Sequence, residues 1–140
     1  MNAQTYLFFN GRGEEALKFY ADALGAEVQF VMRYKEGPPK LIPLGGEEKI
    51  FHATMRIGSS LINLSDDMKR EHGAFDGFAM LLHADSDGEA ALFLARLTEG
   101  GKVQMPMMTV PWASSYGIVK DKFGMMWKVQ SGGTDKKLVF

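Results

Sequence analysis

Twice in this chain the same signals follow one another: an apolar strand, a turn, an amphipathic helix and a glycine stop. The first copy runs Thr5-Tyr-Leu-Phe-Phe-Asn-Gly11 into a helix over residues 14–24. The second runs Phe78-Ala-Met-Leu-Leu-His-Ala84 into a helix over 87–97. Phe78 lies 73 residues after Thr5, and Val103 lies 75 after Val28, so the second strands repeat at nearly the same offset as the first. A repeat of this length in a 140-residue chain reads as one supersecondary unit used twice. Strands that outnumber helices three or four to one do not build a doubly wound parallel sheet. The expected class is α+β, two βαβββ modules in one domain: module one over about 1–66, a linker over about 67–77, module two over about 78–130, and a loose tail over 131–140.

The first helix places Ala16, Leu17, Phe19, Tyr20, Ala23 and Leu24 at helical spacing, with acids in its first turn and Gly25 as C-cap. Residues 27–34 alternate around Val28, Phe30 and Met32 and predict a second strand. Residues 35–49 carry three prolines and three glycines, a loop longer than most connections and a candidate lid or dimer-contact arm. A hairpin follows, residues 50–57 and 60–65 about Gly58-Ser59. Along its first strand Phe51, Ala53, Met55 and Ile57 share one face, and His52, Thr54 and Arg56 the other. In module two the expected order is a strand over 78–84 and a helix over 87–97 with Ala90, Ala91, Leu94 and Leu97 inward. Gly100-Gly101 then stops the helix before strands over 102–105, 116–120 and 125–130. A Pro-Met-rich connection and the turn Asp121-Lys-Phe-Gly124 join those last strands.

Sixteen basic against seventeen acidic residues, without a clustered basic face, argue against nucleic acid as a partner. No apolar run reaches the roughly twenty residues of a membrane span. The absence of cysteine excludes disulfides and thiolate chemistry. Met-Asn-Ala-Gln-Thr lacks the basic and apolar regions of a signal peptide, so the expected compartment is the cytoplasm.

Gly11-Arg-Gly-Glu-Glu-Ala16 fits the dinucleotide pattern G-x-G-x-x-G/A, but Glu14 and Glu15 put negative charge where a pyrophosphate needs the positive helix end. It reads as a plain turn, and the missing βα alternation also argues against a Rossmann methyltransferase. The three histidines lie on different elements: His72 in the linker, His83 at a strand end as a surface or capping residue, and His52 on a polar strand face. His52 is a candidate general base or ligand donor, or a histidine satisfied at the sheet rim. Ser114-Ser115 lack a nucleophile elbow and read as a polar loop. Met105, Met107, Met108, Met125 and Met126, with Phe78 and Met80, form an adaptable apolar set that suits a core or a promiscuous pocket.

Tyr6-Leu-Phe-Phe-Asn-Gly11, Glu15-Ala-Leu-Lys-Phe-Tyr20, Leu24-Gly25, Phe51-His52-Ala53, Ile57-Gly58 and Ser65-Asp66 stand together in module one. Trp112, Tyr116-Gly117, Asp121-Lys-Phe-Gly124 and Trp127 stand together in module two. As a set over roughly residues 4–130, they resemble the PhnB-like family, often labelled 3-demethylubiquinone-9 3-methyltransferase-like, of the vicinal-oxygen-chelate superfamily. That superfamily includes glyoxalase I, bleomycin- and fosfomycin-resistance proteins and extradiol dioxygenases. The resemblance implies curved mixed sheets around a cleft, usually within a homodimer. In metal-dependent relatives four strand residues hold an ion, and those positions fall here on Thr5, Asn63, Phe78 and Lys128. A hydroxyl, an amide, a benzyl ring and an ammonium make a poor donor set. The expectation is therefore no metal and no cofactor, hence no chemistry by a metal-bound electrophile, and no residue supports methyl transfer.

Alternation and the family geometry together place Thr5, Leu7 and Phe9; His52, Thr54 and Arg56; Leu61, Asn63 and Ser65; Phe78, Met80 and Leu82; and Met126, Lys128 and Gln130 along the cleft. Of these, Thr54, Arg56, Asn63, Ser65, Phe78, Met80 and Lys128, with Trp112 and Tyr116 for stacking or gating, are candidate ligand contacts. Arg56 and Lys128 favour an anionic or carbonyl-bearing small molecule. Three functions fit: a metal-free small-molecule binder of the resistance-protein type, a metal-independent isomerase or lyase with His52 as base, or a structural dimer.

Overall fold

The first turn of helix α1 (Gly13–Leu24) is held by a carboxylate distant in sequence. Asp66 Oδ1 accepts the backbone N–H groups of Gly11 at 2.9 Å and Gly13 at 2.8 Å. No side chain caps the helix at Arg12, so Asp66 supplies the negative charge that a helix N-terminus favours. This also gives the physical reason that Gly11-Arg-Gly is no phosphate loop: two of its N–H donors already point at a carboxylate. A Cβ on Gly13 would sit 2.9 Å from Asp66 Oδ1, so the approach requires glycine. At the other end Gly25 adopts the expected left-handed C-cap, φ 68°, with its N–H on Ala21 O.

The computed structural model describes residues 1–68 and 73–133 of the chain. Expectations for His72 and for the tail beyond 133 lie outside the described residues. The described chain is α+β, and its two units, Met1–His72 and Gly73–Phe140, each carry one four-stranded mixed sheet and one helix.

In module one the strands β1 (Thr5–Phe8), β2 (Glu27–Arg33), β3 (Ile50–Ile57) and β4 (Ser60–Ser65) take the order β1-β4-β3-β2. β1 and β4 are parallel and the other neighbours antiparallel. Leu7, Ala53, Met55, Ile57, Ile62 and Leu64 are buried together with Ala16, Leu17, Tyr20 and Ala23 of α1, so one sheet face is the core. The long loop carries two short 3-10 turns, Tyr34–Glu36 and Pro39–Leu41. Two irregularities depart from simple alternation. Val28 pairs with Met55 but Phe30 with Thr54, so a bulge at residue 29 puts Val28 and Phe30 on opposite faces. Met32 pairs with His52 but Arg33 with Ile50, which makes Phe51 the extra residue of a second bulge.

Module two repeats the topology with β5 (Met80–His83), α2 (Asp87–Leu97), β6 (Lys102–Val110), β7 (Ala113–Lys120) and β8 (Met126–Gly133), ordered β5-β8-β7-β6. Ser86 caps α2 by accepting the N–H of Glu89 at 3.1 Å. Ala90, Leu94 and Leu97 point inward as expected, but Ala91 is exposed, because the helix is covered over too narrow an arc to reach it. Strand β6 runs through the Pro-Met segment rather than ending at Met105. As an edge strand paired only with β7, it tolerates Pro106 at a register irregularity between Met105 and Met108. β7 correspondingly starts at Ala113, so Ser114 and Ser115 are strand residues, not loop. Ser114 and Ser131 hydroxyls each donate to Asp87 Oδ1 at 2.6 Å and hold that carboxyl below its usual range. That anchor carries β8 to Gly133, into what was expected to be loose tail.

Candidate functional site

Pairing register decides which side chains share the open face of the first sheet. Tyr6 lies opposite Asn63 and Phe8 opposite Ser65, while Asn63 lies opposite Thr54. Tyr6 and Phe8, rather than Thr5, Leu7 and Phe9, therefore accompany His52, Thr54 and Asn63. Leu7 and Phe9 are 2% and 5% exposed in the core. The run Tyr-Leu-Phe-Phe is apolar on both faces, so alternation alone cannot set its phase.

The open face carries two hydrogen-bonded groups. Tyr6 Oη lies 2.8 Å from His52 Nδ1, whose ring also sits against Tyr6 and Phe30 at centroid distances of 5.6 and 5.9 Å. Thr54 Oγ1 donates to Asn63 Oδ1 at 2.8 Å, and Asn63 Nδ2 donates to Gln4 Oε1 at 2.8 Å. Arg56 is exposed near the hairpin turn, ion-paired with Glu27 and donating to Gly58 O.

Where the β1, β3 and β4 ends meet the long loop, Tyr6, Phe8, Tyr34, Phe51, Ser65 and Asp67 line an open pocket of about 310 Å³. The bulge turns Phe51 out of the alternation expected of it and stacks it on Tyr34, centroids 5.1 Å apart and planes 27° apart. Tyr34 Oη accepts the N–H of Met68 at 3.1 Å. Asp67 holds a left-handed backbone, φ 42°, which Asp and Asn adopt more readily than most residues. Burial pushes the Tyr6 phenol up from its ordinary pKa, and the charges of Tyr34 and Asp67 add to this against an opposing hydrogen bond from Ser65. Burial likewise raises Tyr34, with Asp67 and Asp66 adding and the Met68 N–H opposing. Both phenols thus remain protonated donors beside a carboxylate.

A pH consequence follows for stability. A phenol whose folded pKa is raised contributes stability that is fully present below the ordinary value of 10.0 and lost as pH rises through the folded value. Tyr6 and Tyr34 should titrate late, above pH 10, in an alkaline ultraviolet difference titration. Tyr6→Phe and Tyr34→Phe should each delete one late-titrating phenol; a titration in which neither variant removes a late step contradicts the assignment.

In module two Lys128 pairs with Leu81 and Ile118, whereas Met80 and Leu82 pair with buried Trp127 and Val129. Met80 thus takes the α2 side of the sheet and Lys128 the opposite side, against the shared placement expected of them. Phe78 precedes β5, is 46% exposed and meets Phe75 edge-on. Trp112 Nε1 donates to Gln130 Oε1 at 3.3 Å and its ring meets Tyr116 edge-on at 5.2 Å. Gln130 Nε2 lies 3.2 Å from His83 Nδ1, so His83 is the exposed surface residue of the two expected alternatives, and joins this polar group while Ser86 caps α2.

The donor chemistry of the four inherited metal positions does not fit a divalent ion. Thr5 lies opposite Ile62 on the core side, Asn63 is an amide bonded to Thr54 and Gln4, Phe78 is a hydrocarbon outside β5, and Lys128 is a cation. Among the described residues no group of three or more His, Cys, Asp or Glu could hold a metal ion, and no helix is long and apolar enough to cross a membrane. Sequence reasoning missed Tyr6, Phe8, Tyr34, Phe51 and Asp67. Only the paired acids at the end of β4 signalled anything there.

Residues 4–129 match the family model described as the glyoxalase/bleomycin resistance protein/dioxygenase superfamily. Protein YjdN of Escherichia coli K12 is 30% identical over 138 residues, covering 92% of this chain and 94% of that protein. Protein PA1353 of Pseudomonas aeruginosa superposes with a TM-score of 0.85 at 32% identity, covering 94% and 98% of the two chains. The PhnB protein of Bacillus cereus superposes at 0.80 with 24% identity, covering 94% and 100%, a likeness of fold.

Proposed function

Because the chain belongs to the glyoxalase/bleomycin resistance protein/dioxygenase superfamily, we propose that it is a PhnB-like small-molecule-binding protein that captures its ligand without a metal ion. The observation that carries this reading is the module-one pocket. Four aromatic walls supply apolar area, and Tyr6, Tyr34, Ser65 and Asp67 supply the few polar groups that fix orientation, the usual make-up of a ligand site. The unsuitable donor set at the inherited metal positions supports the metal-free part.

A screen of small aromatic fragments by ligand-observed NMR on the intact chain tests it. Fragments should bind, and Phe8→Ala with Phe51→Ala should weaken them about tenfold or more, the expected loss from two apolar contact surfaces. If bound fragments are indifferent to both changes, this pocket is not the site. A second reading is favoured by the His52–Tyr6 contact: a metal-independent isomerase or lyase in which His52 is the general base and Tyr6 orients its ring. His52→Ala separates the two. Under the binding reading it changes fragment affinity by less than about threefold, whereas under the enzyme reading it abolishes turnover while leaving affinity intact.

A further inference from the structure

We propose that the open face of the module-two sheet binds aromatic anions, with the charged head between Lys120 and Lys128 and the ring against Trp112. This site lies apart from the module-one pocket and does not depend on it. Pairing register sets the arrangement. Lys102 lies directly opposite Lys120 across β6 and β7, and Lys128 of β8 lies opposite Ile118, diagonal to Lys120. Lys102, Lys120 and Lys128 therefore share the side of the sheet turned away from α2. Like charges opposed across strands are destabilising, and a bound anion relieves them. Among the described residues none of these lysines makes an ion pair or a side-chain hydrogen bond. No strand position on this face carries an acid to neutralise them.

A lysine on an edge strand guards against stray strand pairing, which accounts for Lys102 on β6. It does not account for Lys120 and Lys128, because β7 and β8 are inner strands. Lys128 is half-buried between Leu81 and Ile118, so its stem lies on apolar surface while the ammonium stays available. About 7 Å further along β8 stands Gln130, whose orientation its neighbours fix. Trp112 Nε1 can only donate, so it takes Gln130 Oε1, and the amide NH₂ is left to donate to His83 Nδ1. His83 then keeps its Nε2–H as a further donor. Held by this bond and by its edge contact with Tyr116, Trp112 is still 47% exposed and offers a fixed ring. The polar groups that Lys120, Lys128 and His83 leave open are thus all donors, beside an aromatic surface. Arg56, the other cation expected to favour an anion, is paired with Glu27 in module one, whereas Lys128 is not paired.

Three probes share a naphthalene ring and differ in the charge of the head: 2-naphthyl phosphate, 2-naphthoate and 2-naphthol. Each is titrated into the intact chain, and the indole N–H resonances of Trp112 and Trp127 are followed by NMR. Trp127 serves as the internal control, since its indole is buried and bonded to Asp121. The phosphate should bind about tenfold or more tighter than naphthol, with naphthoate between them, and should shift Trp112 while leaving Trp127 in place. Lys120→Gln and Lys128→Gln should each weaken the phosphate about threefold to tenfold and change naphthol by less than about twofold. Lys18→Gln, on α1, should change neither. Trp112→Leu should weaken all three probes. Naphthol binding as tightly as the phosphate, or a phosphate affinity unmoved by both changes at Lys120 and Lys128, overturns the assignment. A short single-stranded DNA that binds this face more tightly than the phosphate overturns it in favour of nucleic acid. Shifts confined to Tyr34 and Phe51, or no shift of Trp112 with the phosphate, also overturn it, and the first of these leaves the module-one pocket standing.

Discussion

Replacing Asp66 with alanine is expected to cost about 3–5 kcal/mol of stability, the largest effect of any single polar change in module one. The carboxylate is 1% exposed and serves three elements at once. Oδ1 takes the N–H groups of Gly11 and Gly13 at the start of α1, and Oδ2 takes that of Ile50 at the start of β3, 2.8 Å away. Its own N–H donates to Ile50 O at 2.9 Å, fastening the end of β4 to the same spot. Alanine would leave three N–H groups without this acceptor, each worth about 1–3 kcal/mol when stranded, and water entering the space recovers part of the sum. Asp66→Asn keeps one acceptor oxygen but turns an NH₂ toward a donor, so it should fall between wild type and alanine. Urea unfolding monitored by circular dichroism reads the shift in midpoint. A loss below about 1 kcal/mol for alanine would show that the helix start is held by something else.

Trp127→Ala should destabilise module two by about 3–5 kcal/mol, through lost burial and the cavity left behind. Trp127 is 2% exposed in the middle of the α2-facing side of β8, among Val119, Met125, Val129 and Leu97. Its indole N–H donates to Asp121 Oδ2 at 2.9 Å, while Asp121 Oδ1 accepts the N–H groups of Phe123 at 2.9 Å and Met125 at 3.0 Å. The ring therefore closes the turn between β7 and β8 as well as filling the core. Trp127→Phe separates the two contributions: it keeps most of the apolar volume and removes the N–H, and should cost about 1–2 kcal/mol. A phenylalanine variant as unstable as the alanine one would mean that the hydrogen bond dominates and the packing argument fails.

Asp66 and Asp121 also mark where sequence patterning works well. Ser65-Asp66 and Asp121-Lys-Phe-Gly124 carried the family resemblance, and each proves to be a carboxylate that gathers backbone N–H groups at a junction. The hairpin of β3 and β4 and the left-handed glycine after α1 fall where spacing and turn chemistry put them, because each is a local decision. Phe51 and Met80 fall elsewhere. Met80 sits in a strand whose two faces are both apolar, so a one-residue change of phase exchanges them without leaving a trace in composition, whereas Phe51 is displaced by a bulge in a strand whose alternation otherwise holds.

What the sequence determined by itself is the twice-repeated order of strands and helices, since helical spacing, caps and turn residues act over a few neighbours and need no partner strand. What only the tertiary structure decided is the phase of β1 and β5 and the bulge at Phe51. These depend on pairing with strands distant in sequence, and the phase of β1 and the bulge at Phe51 bring Tyr6, Phe8, Tyr34, Phe51 and Asp67 around one pocket.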